Sequence, residues 1–158
     1  MLSHFSSMNH DAKFRVMILD PNSDAARDNA QRIEAEGHEV VIVQTAAAAL
    51  MQLETKPFDV LFCELFYPEQ DGFEVCKSIA KVLENKAMPV PMMALTHTQN
   101  PEHIRLSYQS GAVNFVSKPL TLPKLHAAMS LLHHKQKKKA LFSAPPEAKP
   151  NITHKIKL

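Results

Sequence analysis

A chain of 158 residues that is 45% apolar and 22% charged can bury one substantial core, and nothing in its length suggests a second domain of comparable size. Its apolar runs fall far short of the ~18 residues a membrane span needs, and the opening MLSHFSSMNHDAK has no apolar leader core, so the expectation is a cytoplasmic protein without a membrane segment. The net charge of +2 hides an asymmetry: residues 1–134 hold 11 Lys/Arg against 15 Asp/Glu, a balance of −4, while residues 135–158 hold 7 Lys against Glu147 alone, a balance of +6.

Taken in order, the chain alternates between strand and helix patterns. Arg15 to Leu19 (RVMIL) predicts a short strand that ends at Asp20-Pro21-Asn22. Asn22 or Ser23 then caps a helix running to about Glu36, which Gly37 closes as a C′ residue. The β-branched EVVIV within residues 38–44 predicts the second strand, and Thr45 caps an alanine-rich helix that stops before Pro57. Phe58 to Cys63 predicts the third strand, buried by its composition, and it delivers the carboxylate of Glu64 to a sheet edge just before the loop chemistry of Pro68 and Asp71-Gly72.

Beyond that loop, Phe73, Cys76, Ile79, Ala80 and Leu83 recur at helical spacing and predict one buried face. Val90 to Leu95 predicts the fourth strand. Asn100-Pro101 caps a helix ending near Ser110-Gly111, and Ala112 to Val116 predicts the fifth strand. Thr121 caps the last helix, with Leu122, Leu125, Met129 and Leu132 as its inward stripe and KQKKK at its end. Five βα units in succession predict a parallel sheet wrapped by helices on both faces, an α/β fold.

Several residues take ordinary readings. Cys63 and Cys76 have no metal-like spacing and are read as reduced core thiols. The histidines show no metal-binding spacing, His133 and His134 being adjacent on a helix, so no structural metal is expected. KQKKK complements the C-terminal helix dipole, which outweighs a nucleic-acid role because no aromatics or arginines are interleaved. From Ala140 on, the proline-rich remainder lacks a periodic apolar face and is read as mobile.

Four strand ends carry polar groups: Asp20 after the first, Glu64 after the third, Thr96 after the fourth and Lys118 before Pro119 after the fifth. With the pieces LDPN, CELFYPEQDG, ALT and SKP in order, the sequence resembles the receiver domains of two-component response regulators over roughly residues 14–134. The resemblance implies a flavodoxin-like sheet of order 2-1-3-4-5 and a switch driven by aspartate phosphorylation with Mg²⁺. It also implies that Asp20 is the first acid of the pocket, Thr96 the hydroxyl and Lys118 the amine that contact the phosphoryl group, and Phe115 the aromatic switch position.

Two positions depart from that pattern. Glu64 stands at the phosphoacceptor position, moving the carboxylate by on the order of 1 Å, a misplacement that can cost about a hundredfold in an in-line transfer. Pro21 stands at the second acidic position and offers no side-chain oxygen, so Mg²⁺ binding is expected to be weak or absent. Glu64 then reads in two ways. It is a permanent charge where a phosphoryl group would sit, smaller than the ~1.5 to 2 charges of a phosphate, or it is a lysine-paired acid in a decayed site. His97 after Thr96 either crowds the pocket or, as the simpler reading has it, points to solvent.

The sequence therefore predicts a single-domain receiver at residues 14–137, with an N-terminal extension at 1–13 and a basic tail at 138–158. It would act by binding a histidine kinase, another receiver or an output protein without being phosphorylated, and it is not expected to be an enzyme. The fourth helix, fifth strand and fifth helix are the expected partner face, a homodimer being one form of it, with His103, Gln109 and Lys124 expected to be exposed there. The alternatives are a conventional phosphorelay receiver and a nucleic-acid or anionic-surface binder that uses the tail.

Overall fold

The computed structural model describes residues 13–87 and 89–143, with backbone alone from residue 133 on. Strand β1 (Arg15–Leu19) lies inside a five-stranded sheet, flanked by β2 (Glu39–Val43) and β3 (Val60–Cys63). Strands β4 (Met92–Thr96) and β5 (Asn114–Ser117) complete the order β2-β1-β3-β4-β5, with every pair parallel. All four residues of β3 and all five of β4 are buried, whereas the edge strand β2 buries only Val43. That difference follows from helices covering both faces of the central strands, so that continuous apolar runs rather than alternating ones form them.

The helices are α1 (Ser23–Glu34), α2 (Ala46–Thr55), α3 (Gly72–Glu84), α4 (Pro101–Gln109) and α5 (Leu122–Ser143). Asn22, Thr45, Asp71 and Asn100 each cap a helix with a side-chain oxygen that accepts a first-turn amide. Gly37 and Gly111 adopt φ of 91° and 108° at helix exits, a region closed to most side chains. Met17, Leu19, Leu61, Cys63 and Ala94 join Ala49 and Leu53 of α2 and Val75, Cys76, Ile79 and Leu83 of α3 in one core cluster. The alternate strand residues Val16, Ile18, Val60, Phe62, Met93 and Leu95 are also buried, as the pleat requires when both faces are covered.

The expected α/β, flavodoxin-like sheet is therefore observed, and the departures from expectation are local. Phe58 and Asp59 precede β3 rather than belonging to it, the fourth strand begins at Met92, and the fifth spans Asn114–Ser117. On α3 the buried set is Gly72, Val75, Cys76, Ile79 and Leu83, with Phe73 and Ala80 half-buried. On the last helix Leu125, Ala128 and Leu132 are buried while Leu122 and Met129 are half-buried, so the stripe runs through a small alanine that a hydropathy pattern passes over. The helix does not stop at KQKKK but continues to Ser143. The side chains of His133, His134 and KQKKK, and the tail beyond residue 143, lie outside the described residues. Among the described residues no helix is long and apolar enough to cross a membrane.

Candidate functional site

Parallel register brings the predicted site residues to one edge. Leu19 pairs with Cys63, so Asp20 and Glu64 emerge side by side, and the Glu64 amide donates to the Leu19 carbonyl at 2.9 Å. Thr96 ends β4 opposite Ser117 of β5, and the Lys118 amide donates to the Thr96 carbonyl at 2.9 Å before the cis Lys118–Pro119 bond. Asp20, Glu64, Thr96 and Lys118 thus meet at the carboxyl end of the sheet, where open α/β sheets build their sites.

Lys118 organises that edge. Its Nζ donates to Asp20 Oδ2 and to Glu64 Oε1, both at 2.6 Å, and the three side chains are 5%, 2% and 9% exposed. Burial disfavours the ammonium, but the hydrogen bonds and charges of Asp20 and Glu64 outweigh it and raise the Lys118 pKa. One ammonium between two carboxylates leaves the cluster with one formal negative charge.

The remaining carboxylate oxygens are also engaged. Asp20 Oδ1 accepts the Asn22 amide at 2.9 Å. Glu64 Oε2 accepts the Leu65 amide at 2.6 Å and the Phe66 amide at 3.3 Å, so the glutamate holds the start of its own loop as well as the lysine. No hydrogen bond joins the Thr96 hydroxyl to Glu64 or Lys118 among the described residues. Thr96 is in the cluster by position, not by contact.

The loop after Glu64 turns back through a bridge between Phe66 and Asp71 and enters α3 at Gly72. A Cβ at Gly72 would stand 1.6 Å from the Leu65 carbonyl oxygen, so only glycine lets the helix start directly behind the residue that follows Glu64. Phe66, 46% exposed, meets His103 of α4 edge-on with ring centroids 5.1 Å apart and Phe73 at 6.4 Å. His103 Nδ1 is in turn 2.9 Å from Thr98 Oγ1. An open cleft of about 460 Å³ is lined by Asp20, Glu64 and Lys118 of the cluster together with Pro21, Phe66, Tyr67 and His97.

Pro21 lines the cleft without a side-chain oxygen to give, and His97, also lining it, is exposed. Phe115 is half-buried and packs against the core cluster. Two of the expected surface positions are not free. His103 is half-buried in the aromatic contact just described, and Lys124 donates to the Ser117 carbonyl at 2.8 Å and the Pro119 carbonyl at 3.1 Å. Gln109 is exposed as expected, and so is Tyr108 at 47%.

Sequence reasoning missed the two loop amides that hold Glu64, because backbone donors leave no signature in residue identity. It also missed the meeting of Cys63 with Cys76. The sign was present, since Cys63 shares the strand face of Leu61 and Cys76 falls on the inward face of its helix.

The sheet order and the polar carboxyl edge are those of a receiver-type scaffold, and comparison with known proteins agrees on the family. The family model of the response regulator receiver domain matches residues 16–130. The chain belongs to that family. It is 28% identical over 138 residues to a probable cyclic di-GMP phosphodiesterase of Vibrio cholerae, covering 87% of this chain and 31% of that protein. To the sensor histidine kinase AruS of Pseudomonas aeruginosa it is 27% identical over 97 residues, covering 61% of this chain and 10% of that one. It thus spans a third or less of these relatives.

Among solved structures, a two-component response regulator from Clostridium difficile superposes with a TM-score of 0.65 at 21% identity, covering 78% of this chain and 98% of that one. A CheY-like receiver domain protein from Methanospirillum hungatei gives 0.65 at 22% identity, covering 82% and 100%. At these identities the structures bear on the fold alone. Receiver domains interact with histidine kinases and other signalling proteins in two-component systems.

Proposed function

We propose that this chain is a phosphorylation-independent receiver held in one state by Glu64, and that it works by binding a signalling protein: a histidine kinase, another receiver or an output protein. The observation that carries the reading is the saturation of the Glu64 carboxylate. Oε1 is on the Lys118 ammonium and Oε2 on the Leu65 and Phe66 amides, so the groups positioned to receive phosphoryl oxygens already hold a carboxylate. An oxygen so engaged is a poor nucleophile, because attack would require giving up charge-assisted hydrogen bonds in a buried setting.

The donor set also fits Mg²⁺ badly. The ion requires well-placed oxygens in a near-octahedral shell, whereas Pro21 offers no side-chain oxygen and both oxygens of Asp20 and of Glu64 already accept hydrogen bonds. Because the Thr96 hydroxyl takes no part in the Glu64 contacts, the permanent charge engages the lysine and the loop but not the hydroxyl arm. That combination favours a fixed state over a full imitation of the phosphorylated one.

The test is intact mass after incubation with a small phosphodonor and Mg²⁺. Wild type and Glu64→Asp should stay unmodified, the second because Pro21 still withholds a metal ligand. Glu64→Asp combined with Pro21→Asp should gain one phosphoryl group, since the pair restores both the shorter nucleophile and the missing acid. A phosphorylated wild type would overturn the proposal.

We propose α4, β5 and the start of α5 as the partner face, with the exposed Tyr108 and Gln109 as its accessible probes. Alanine at both should weaken capture of the cognate partner several-fold while leaving the far-UV spectrum unchanged. Loss of capture only on changing exposed residues of α1 would put the face elsewhere.

A further inference from the structure

The chain has two cysteines, and they meet in the core. Cys63 ends β3 and Cys76 lies in the first turns of α3, with their sulfurs 3.1 Å apart and both residues buried. A disulfide bond measures ~2.05 Å, so covalent closure asks for a movement on the order of 1 Å. Cys63 Sγ lies 3.5 Å from the Glu64 carbonyl and 3.6 Å from the Tyr67 hydroxyl. Tyr67 also lines the open cleft, so its side chain links the thiol pair to a surface that small molecules can reach.

We propose that Cys63 and Cys76 form a redox modification site, which hydrogen peroxide entering past Tyr67 converts to an intramolecular disulfide tying β3 to α3 across the Glu64 loop. One thiol loses its proton, and the thiolate attacks a peroxide oxygen. The S–O bond forms as the O–O bond breaks, and the departing hydroxide takes up the released proton to become water, leaving a sulfenic acid. The second sulfur then attacks the first, its proton and the sulfenic hydroxyl leaving together as a second water. Two thiols give up two electrons, and one peroxide becomes two waters.

The environment makes this a slow site. The hydrogen bond from Cys76 and burial hold the Cys63 thiol well above its ordinary value of 9.0. The thiolate is the nucleophile, so the rate rises about tenfold per pH unit below that value. Sustained oxidant, rather than a brief pulse, closes the bond. Once closed, it anchors both ends of the loop whose first amides hold the Glu64 carboxylate. The inference stands on the sulfur geometry and on the place of Tyr67 between Cys63 and the cleft, and it does not depend on how Glu64 is read.

The experiment treats the full-length reduced protein with hydrogen peroxide under native conditions and reads intact mass and peptide maps. The expected result is loss of two hydrogens, a Cys63–Cys76 linked peptide, and full reversal by a dithiol. Cys63→Ser and Cys76→Ala should gain oxygen instead of forming the link. Tyr67→Ala should speed the reaction about tenfold by opening the cleft wall, because access limits a buried thiol. Oxygen addition without a link in the wild type would overturn the proposal, as would links only between chains, links only in denaturant, or no reaction. Each of these is read on the wild type, so none depends on how the variants fold.

Discussion

Lys118 is the residue through which three strand ends act as one site. Its ammonium bridges the buried carboxylates of Asp20 and Glu64. Removing one partner of such a cluster leaves the rest uncompensated, and Lys118→Met should cost about 3–5 kcal/mol in denaturant unfolding. The raised pKa gives the alkaline limit of the same contribution. It is complete below the ordinary lysine value of 10.5 and is lost as pH rises through the higher folded value, where the folded state gives up its extra proton. Glu64→Gln tests the other side of the pair. One end of the carboxylate faces an ammonium and the other two amides, all donors, so a carboxamide must turn its own NH₂ toward one of them. A loss of about 1–3 kcal/mol follows from the unmet donors, and a variant as stable as wild type would show that the glutamate is not held as described. The identities of Asp20, Glu64, Thr96 and Lys118 were legible in the sequence because strand-end polar residues stand out against apolar runs. Which of them touch was not, and Thr96 is the residue for which position and contact part company.

Among the elements, the β3–α3 connection is pinned at Gly72, where an added Cβ would meet the Leu65 carbonyl. The dipeptide Asp71-Gly72 reads in the sequence as ordinary turn chemistry. The structure gives it a narrower role: Asp71 caps α3 through the Phe73 amide at 2.9 Å, while Gly72 leaves room for the Leu65 carbonyl. Gly72→Ala must push that carbonyl, and with it the amide that holds Glu64 Oε2. We expect a loss of about 1–3 kcal/mol, as for other overpacked sites, with the Leu65 and Phe66 amides exchanging faster in hydrogen-exchange measurements. Unchanged protection there would mean that the loop and helix move independently. Caps and strand runs were readable because they depend on neighbours in sequence. The aromatic contact of Phe66 with His103, by contrast, joins residues that only the sheet order brings together, which is why His103 looked like a surface position.

For the whole molecule, stability toward acid depends on the opposite end of the sheet from the cleft. His38 is 6% exposed, and its Nδ1 accepts the Phe14 amide at 3.1 Å while its ring stacks on Phe14 with centroids 5.1 Å apart. An imidazolium has no acceptor to offer that amide, so protonation breaks one of the two bonds at the entrance of β1 and β2, leaving the Glu39 amide on the Phe14 carbonyl at 3.0 Å. Burial, Lys13 and His126 lower the His38 pKa below its ordinary 6.5, with Glu36 opposing them. A lowered folded value means that the unfolded chain binds the proton first as pH falls. The contribution of His38 is therefore complete above 6.5 and is lost progressively as pH drops toward the folded value. His38→Asn places an amide oxygen near the position of Nδ1 and removes the titration. Its melting temperature relative to wild type should be lowest near neutrality, where the wild-type contact is intact, and should rise as pH falls below 6.5 because only the wild type then loses stability. A difference that stays constant across that window would assign the acid sensitivity to the carboxylates and leave His38 a purely packing residue.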